Sequence, residues 1–202
     1  PRGVAEKGPR PWVRRITPAV TGLVTLESYR VLAAVPAPCP VGREKPPRHP
    51  AKGSEMTALT DRMTAALKEY RAWQEPLLTD LHRHPELSMR EERTRRIIAA
   101  QLAEFGYEVQ QIGGGVVGVL SRGEGPTVLL RADMDGLPVQ EASGLPYASV
   151  HSQQDADGTL QPTMHACGHD FHMVAALGAA RLLAEHRGDW SGTFIALFQP
   201  GE

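Results

Sequence analysis

The sequence predicts an α/β fold, a three-layer α/β/α domain over residues 56–202. Two observations carry this prediction. Amphipathic helical patterns alternate along the chain with short apolar strand patterns. The 202 residues are also 41% hydrophobic, which is enough to build one folded core.

Three segments have the periodicity of amphipathic helices. The first begins after Met56, and Pro76 predicts a boundary or kink within it. Its apolar residues are Leu59, Met63, Ala66, Leu67, Tyr70, Trp73, Leu77, Leu78 and Leu81. In the second, Ser88 and Glu91 form a predicted capping box and Gly106 ends the helix. The third covers Phe171 to His186.

Apolar runs between turn signals predict the strands. They cover residues 107–110, 116–120, 127–132 and the final stretch "GTFIALFQPGE". "TVLLRA" is apolar on both faces, as is typical of an inner strand. The polar loop "DMDGLPVQE" follows it, at the strand end where α/β sheets place ligands. Residues 143–161 are rich in Gly, Ser, Asp and Gln and predict a long loop.

Residues 1–55 differ in composition from the rest. They hold ten of the seventeen prolines and ten Lys or Arg against four Glu, whereas residues 56–202 hold twelve basic and nineteen acidic residues. The pattern predicts disorder, or an upstream segment joined to a true start at Met56 by misassigned translation. Its twin arginine precedes an apolar run that Glu27 and Arg30 interrupt, which argues against an export signal.

Composition also limits the partners. A net charge of −1 provides no field for nucleic acid or an anionic membrane, and no apolar run approaches the ~18–20 residues of a membrane span. A small molecule or another protein is therefore the expected partner. The two cysteines do not form a disulfide framework, which indicates a reducing compartment, and we expect a cytoplasmic protein.

The stretch "TMHACGHDFHM" holds the most concentrated chemistry. Cys167 and His169 are two residues apart, a spacing that lets a thiolate and an imidazole reach one zinc-like ion. Two alternatives remain open on these residues alone: a buried structural cysteine beside a capping or surface histidine, and a cysteine nucleophile activated by His169. No second ligand pair stands at zinc-finger spacing. Asp170 is predicted to cap the following helix, and His82 and His84 receive no site role.

Four blocks resemble a known family, the metal-dependent amidohydrolases that include hippurate hydrolases, N-acyl amino acid deacylases and plant auxin-conjugate hydrolases. The blocks are "DLHRHPELSMRE", "LLRADMDGLPVQE", "MHACGHDFHMVAALGAARLLA" and "FQPGE", in matching order and spacing. The resemblance covers essentially residues 56–202 and implies a zinc-peptidase-like catalytic domain that is incomplete at its C-terminal side.

The resemblance also implies roles for individual residues. Cys167 and His169 match two metal ligands, and Glu202 matches a glutamate that acts as the general base. Asp135 resembles an aspartate that orients a metal-bound histidine, although an Asp-Gly turn explains it equally well on sequence. A solvated strand end is the alternative for Glu202. The family's other ligands, one glutamate and two histidines, come from later sequence, so we expect an N-terminal fragment that is inactive alone.

The expected activity is hydrolysis of the amide bond of N-acyl amino acids or related amides. The expected cofactors are divalent metal ions, zinc, manganese, cobalt or nickel, with two in a complete active site. The full-length parent is expected to be a homodimer or higher homo-oligomer. The alternative is a truncated domain that binds a metal or a partner without turnover.

Overall fold

The computed structural model describes residues 53–201, and side chains at 53–56, 58–60, 63 and 66 are not included. Its helices are α1 (Gly53–Arg83), α2 (Glu92–Glu104) and α3 (His169–Glu185). Its strands are β1 (Glu108–Ile112), β2 (Gly115–Arg122), β3 (Thr127–Asp133), β4 (Ser152–Gln154), β5 (Leu160–Pro162) and β6 (Gly192–Gln199). None of the helices in this range combines the length and apolar character that crossing a bilayer requires.

The main sheet has four strands in the order β1-β2-β6-β3. β1 and β2 are antiparallel, as are β2 and β6, whereas β6 and β3 are parallel. The final apolar stretch is an inner strand, as predicted. "TVLLRA" is not: β3 is an edge strand among the described residues, and Val128 and Leu129 are more than half exposed. Its apolar character was read correctly, but β6 occupies the inner position beside it.

The core lies between the helices and one face of this sheet. That face presents Val116, Leu120, Phe194, Ala196 and Phe198 to buried residues of the helices. The helix side contributes Leu81 from α1, Ile98 and Leu102 from α2, and Met173, Val174, Ala176, Leu177 and Ala180 from α3. On the opposite face Ile195 and Leu197 are only partly buried. The α/β class is confirmed, and the described helices form the layer on one face of the sheet.

The first helix is longer and more continuous than predicted. α1 runs through Pro76 without a break, because Leu77, Leu78 and Leu81 beyond the proline pack against the core and outweigh one lost backbone hydrogen bond. It begins at Gly53, three residues before Met56. The prediction for residues 1–52 lies outside the described residues.

The start of α2 is capped differently from the prediction. No side chain of Ser88 or Glu91 caps the helix. Instead the buried carboxylate of Glu86 accepts hydrogen bonds from the N–H groups of Arg93 (2.9 Å) and Thr94 (2.7 Å). The predicted capping box is therefore wrong, and a carboxylate from before the helix satisfies these two N–H groups.

The predicted loop at residues 143–161 contains part of a small hairpin. β4 and β5 pair in antiparallel register around a turn at Asp155, whose carboxylate accepts N–H groups of Asp157 and Thr159. The loop prediction is thus wrong for the short strands but holds for the residues between 143 and 151, where no strand forms. The hairpin's Gln153 contacts the segment before α2.

Candidate active site

The candidate site lies where two parallel strands end. Asp133 of β3 pairs with Gln199 of β6, and the N–H of Met134 donates to the Gln199 carbonyl at 3.0 Å. Because the two strands are parallel, the residues that follow them, Asp135 and Gly201, lie at the same edge of the sheet. This is the edge at which open α/β sheets bind ligands.

The segment carrying Cys167 and His169 is brought to this edge by a backbone bridge between Leu137 and Met164. A tight turn follows, closed by a hydrogen bond from the Gly168 N–H to the His165 carbonyl at 3.2 Å. Gly168 has a φ of 76°, a left-handed conformation that residues with a Cβ adopt only with strain. Cys167 is exposed on this turn, and His169 is buried as the first residue of α3.

The structure brings Asp135 and His169 into contact. The Nδ1 atom of His169 lies 3.1 Å from Asp135 Oδ1 and 3.0 Å from the Asp135 carbonyl oxygen. Both partners are acceptors, so Nδ1 carries the proton and donates it. Nε2 is then the ring nitrogen with which His169 would bind a metal. A carboxylate on one ring nitrogen is the usual arrangement for a metal-bound histidine.

A buried charge cluster supports the first turn of α3 from behind. The Nδ1 atom of His82 lies 2.7 Å from Asp170 Oδ2, and its Nε2 atom lies 3.1 Å from Glu141 Oε1. Burial opposes protonation of His82, but the hydrogen bonds with Asp170 and Glu141 outweigh it and raise the pKa of His82. Burial also opposes ionisation of Glu141, but hydrogen bonds from Ser143, the Ser149 N–H and His82 lower its pKa. His82 therefore lies between the carboxyl groups of Asp170 and Glu141, which favour its protonated form.

This cluster corrects one prediction and adds two residues. Asp170 does not cap α3, whose N-cap is Gly168 with no side-chain cap; its carboxylate binds His82 instead. His82 and Glu141 were given no role from the sequence, although both lie in the blocks quoted above. The only signal in the sequence was that these ionisable residues stand in the blocks that match the family. The pairing itself joins His82 to Asp170, 88 residues away, and to Glu141, 59 residues away.

A cavity of about 550 Å³ opens beside Asp135. Its lining mixes apolar and polar groups, among them Leu87, Met89, Arg90, Leu137, Pro138 and Gln161. The volume falls in the range of ~300–1,000 Å³ that small-molecule sites occupy. The cavity is therefore large enough for one part of a small ligand next to the Asp135–His169 pair.

The described donors fit part of a metal site. Within residues 53–201, no group of three or more His, Cys, Asp or Glu side chains converges to hold a metal ion. Cys167 and His169 supply a thiolate and an imidazole, ligand types that zinc-like metals prefer, and the Asp135 contact fixes the histidine tautomer as metal binding requires. Glu202, the predicted general base, lies outside the described residues.

Comparisons with known proteins place this edge of the sheet in a family. The model of peptidase family M20/M25/M40 matches residues 129–202. These residues belong to that family. The matched range contains Asp135, Cys167, His169 and Glu202, so all four predicted site residues lie in the family's segment of the chain.

Individual relatives support the family and show how much of it the chain covers. The chain is 44% identical over 127 residues to a Bacillus subtilis N-acetylcysteine deacetylase, covering 61% of this chain and 31% of the relative. It is 43% identical over 131 residues to the Campylobacter jejuni hippurate hydrolase, covering 63% and 31%. A Bacillus subtilis dinuclear metal binding peptidase from the M20 family superposes with a TM-score of 0.59 at 38% identity, covering 67% of this chain and 36% of that one. The chain thus spans about a third of these relatives' length.

Proposed function

We propose that residues 53–202 supply the N-terminal part of the active site of a metal-dependent amidohydrolase that cleaves N-acyl amino acids or related amides. Cys167 and His169 are metal ligands in this proposal, Asp135 orients His169, and Glu202 is the general base. The observation that carries the proposal is the buried contact of 3.1 Å between Asp135 and His169, at the sheet edge where β3 and β6 both end.

The chemistry of an amide explains why these residue types are needed. An amide is a poor electrophile, and a divalent metal ion supplies polarisation of its carbonyl and acidification of water. Asp135 accepts the Nδ1 proton of His169 and so presents the opposite nitrogen for binding. A carboxylate at Glu202 would take a proton from the attacking water and deliver one to the departing amine. Zinc, manganese, cobalt and nickel are the candidate ions, and two per site are expected.

The substrate class rests on the relatives and on the cavity. Relatives named N-acetylcysteine deacetylase and hippurate hydrolase support an amino acid that carries an acyl group on its nitrogen. The cavity beside Asp135 has room for one side of such a molecule, with Leu87, Met89 and Leu137 available to contact apolar atoms. Pairing of subunits and a cytoplasmic location remain predictions.

The test uses the protein expressed from its natural reading frame. Hydrolysis of N-acetylcysteine and hippurate is measured after chelation and again after adding back zinc, manganese, cobalt or nickel. Turnover should vanish on chelation and return with at least one ion. Cys167→Ala and His169→Ala should abolish it, while His186→Ala, which removes a histidine at the far end of α3, should leave it unchanged.

Two results would overturn the proposal. Turnover that survives exhaustive chelation would mean that no metal is required. A His169→Ala protein that is folded and as active as the His186→Ala control would show that the imidazole at the start of α3 is not a ligand.

A further inference from the structure

Glu91, the buried residue just before α2, binds the backbone that follows β6. Oε1 of Glu91 accepts a hydrogen bond from the Gly201 N–H at 2.9 Å and a second from the Met89 N–H at 3.0 Å. Only 3% of Glu91 is exposed. Burial raises the pKa of Glu91, and the hydrogen bonds from Gly201 and Met89 oppose that shift. Because the side chain is shielded from water, these two N–H groups take the place of water as its hydrogen-bond partners.

The loop that leads into Glu91 is itself fixed to the rest of the fold by hydrogen bonds of its backbone. Oε1 of Gln153 accepts the Leu87 N–H at 2.5 Å, and Nε2 of Gln153 donates to the Arg90 carbonyl at 3.1 Å. The Gly136 N–H donates to the Glu86 carbonyl at 2.7 Å, directly after Asp135. The loop thus connects the residues that follow β3 with the residues that follow β6.

The packing around Gly201 leaves no room for a side chain at this position. Gly201 has a φ of 56°, in the left-handed region, and a Cβ placed on it would collide with Ser88 Oγ and lie 3.2 Å from Met89 Sδ. Met89 itself has a φ of 63°, which is uncommon for a residue with a side chain. One carboxylate oxygen therefore binds the backbone of two left-handed residues, and such conformations persist where the surroundings impose them.

We infer that Glu91 is a positioning residue that fixes the backbone of Gly201, the residue that precedes Glu202 in the sequence. The inference rests on the proposed function, in which Glu202 is the general base. The Gly201 nitrogen is held at 2.9 Å, and one residue later the chain carries the catalytic carboxylate. Glu91 touches neither substrate nor reacting atoms in this account; it acts through Gly201. The same loop binds the backbone after Asp135, so it also holds Gly201 in a fixed position relative to Asp135.

The test compares Glu91→Ala and Glu91→Gln in the protein from its natural reading frame. An amide oxygen can accept both N–H groups as Oε1 does, so the glutamine variant should keep kcat close to wild type. The alanine variant should lose about 10- to 100-fold in kcat with little change in KM, the range expected when a reacting group is displaced by about 1 Å. Bound metal, measured by elemental analysis, should be unchanged in both.

Glu86→Ala is the matched control. Glu86 is also buried and also accepts two backbone N–H groups, those of Arg93 and Thr94, but its side chain does not contact Gly201. It should lower the melting temperature comparably to Glu91→Ala without the loss of kcat. A second readout is amide hydrogen exchange at Gly201, which Glu91→Ala should accelerate about tenfold or more and Glu86→Ala should not.

The outcomes separate this inference from the proposed function. Unchanged exchange at Gly201 in Glu91→Ala would refute the contact, whatever the activity. Faster exchange with normal kcat, or an equal kcat loss in Glu86→Ala, would refute the positioning role while leaving the proposed function intact. If Glu91→Gln loses as much kcat as Glu91→Ala, an oxygen that accepts the two N–H groups is not what this position supplies, and the inference is refuted. A wild-type protein without metal-dependent turnover would refute the proposed function and the role together, while exchange would still decide the contact.

Discussion

Replacing Asp135 by alanine should weaken metal binding at His169 about tenfold. Removing the carboxylate partner of a metal-bound histidine typically costs about 10- to 100-fold in affinity. Here two acceptors hold His169 Nδ1, the carboxylate at 3.1 Å and the Asp135 carbonyl at 3.0 Å. The carbonyl belongs to the backbone and remains in the alanine variant, so the loss should fall at the lower end, about 1.4 kcal/mol.

Isothermal titration with zinc or cobalt measures this loss directly, and each variant is first checked for folding by circular dichroism. Asp135→Asn keeps a side-chain oxygen in place and should lose less than alanine. Asp133→Asn is the matched control, since Asp133 is equally buried on the same strand end but binds Arg131 instead of His169. Equal dissociation constants for wild type and Asp135→Ala would refute the reasoning, as would an equal loss in the Asp133→Asn protein.

Three further predictions concern stability and association. The pKa of His82 is raised in the folded protein, so its contacts with Asp170 and Glu141 stabilise the fold in full below pH 6.5, and this stability is lost as pH rises through the folded pKa. Urea titrations at a series of pH values should show this alkaline loss of unfolding free energy in wild type but not in His82→Gln. The same pH dependence in both proteins would contradict the prediction. Met89→Gly should increase the free energy of unfolding by about 1 kcal/mol and so raise the melting temperature, because glycine adopts the left-handed backbone conformation of this residue without strain and the lost side chain is 65% exposed. A lower melting temperature would count against strain at this residue. Val128→Lys on the exposed edge strand β3 should reduce aggregation measured by light scattering, and unchanged scattering would show that this edge is not the associating surface.

Local patterns predicted most of the secondary structure. The apolar spacing in the third helix and in the stretch "GTFIALFQPGE" reflects which side chains meet the core. The helix formed within two residues of its predicted bounds, and the strand begins with that stretch at Gly192 and ends at Gln199. At Pro76 the unfavourable helix propensity of proline is overridden, since the helix continues through this residue. A proline in a helix costs ~3 kcal/mol or more. Full burial of Leu81 beyond it, worth about 1.5–3 kcal/mol, together with the partial burial of Leu77 and Leu78, offsets that cost.

Long-range pairing was the part that sequence could not supply. Ser88 and Glu91 have the spacing of a capping box, but Glu91 binds Gly201, which is 110 residues away. Asp170 lies where a helix cap would, but its carboxyl group binds the buried His82 ring instead. In both cases a distant group binds a buried side chain whose local spacing predicted a helix cap. A single sequence contains no information on which distant group will be present.

The candidate ligand His169 is consequently fixed from two independent directions. Asp135 sets the rotation of its ring through Nδ1, while the Asp170–His82–Glu141 cluster sets the position of the helix turn on which the ring stands. Loss of the Asp135 side chain should therefore loosen the orientation of the imidazole, which the Asp135 carbonyl still holds at Nδ1, without moving α3. Loss of His82, in contrast, leaves the buried carboxyl groups of Asp170 and Glu141 without their shared partner and should displace the turn itself. The blocks from Asp80 and Leu129 thus determine the geometry of a ligand that belongs to neither, before any metal binds.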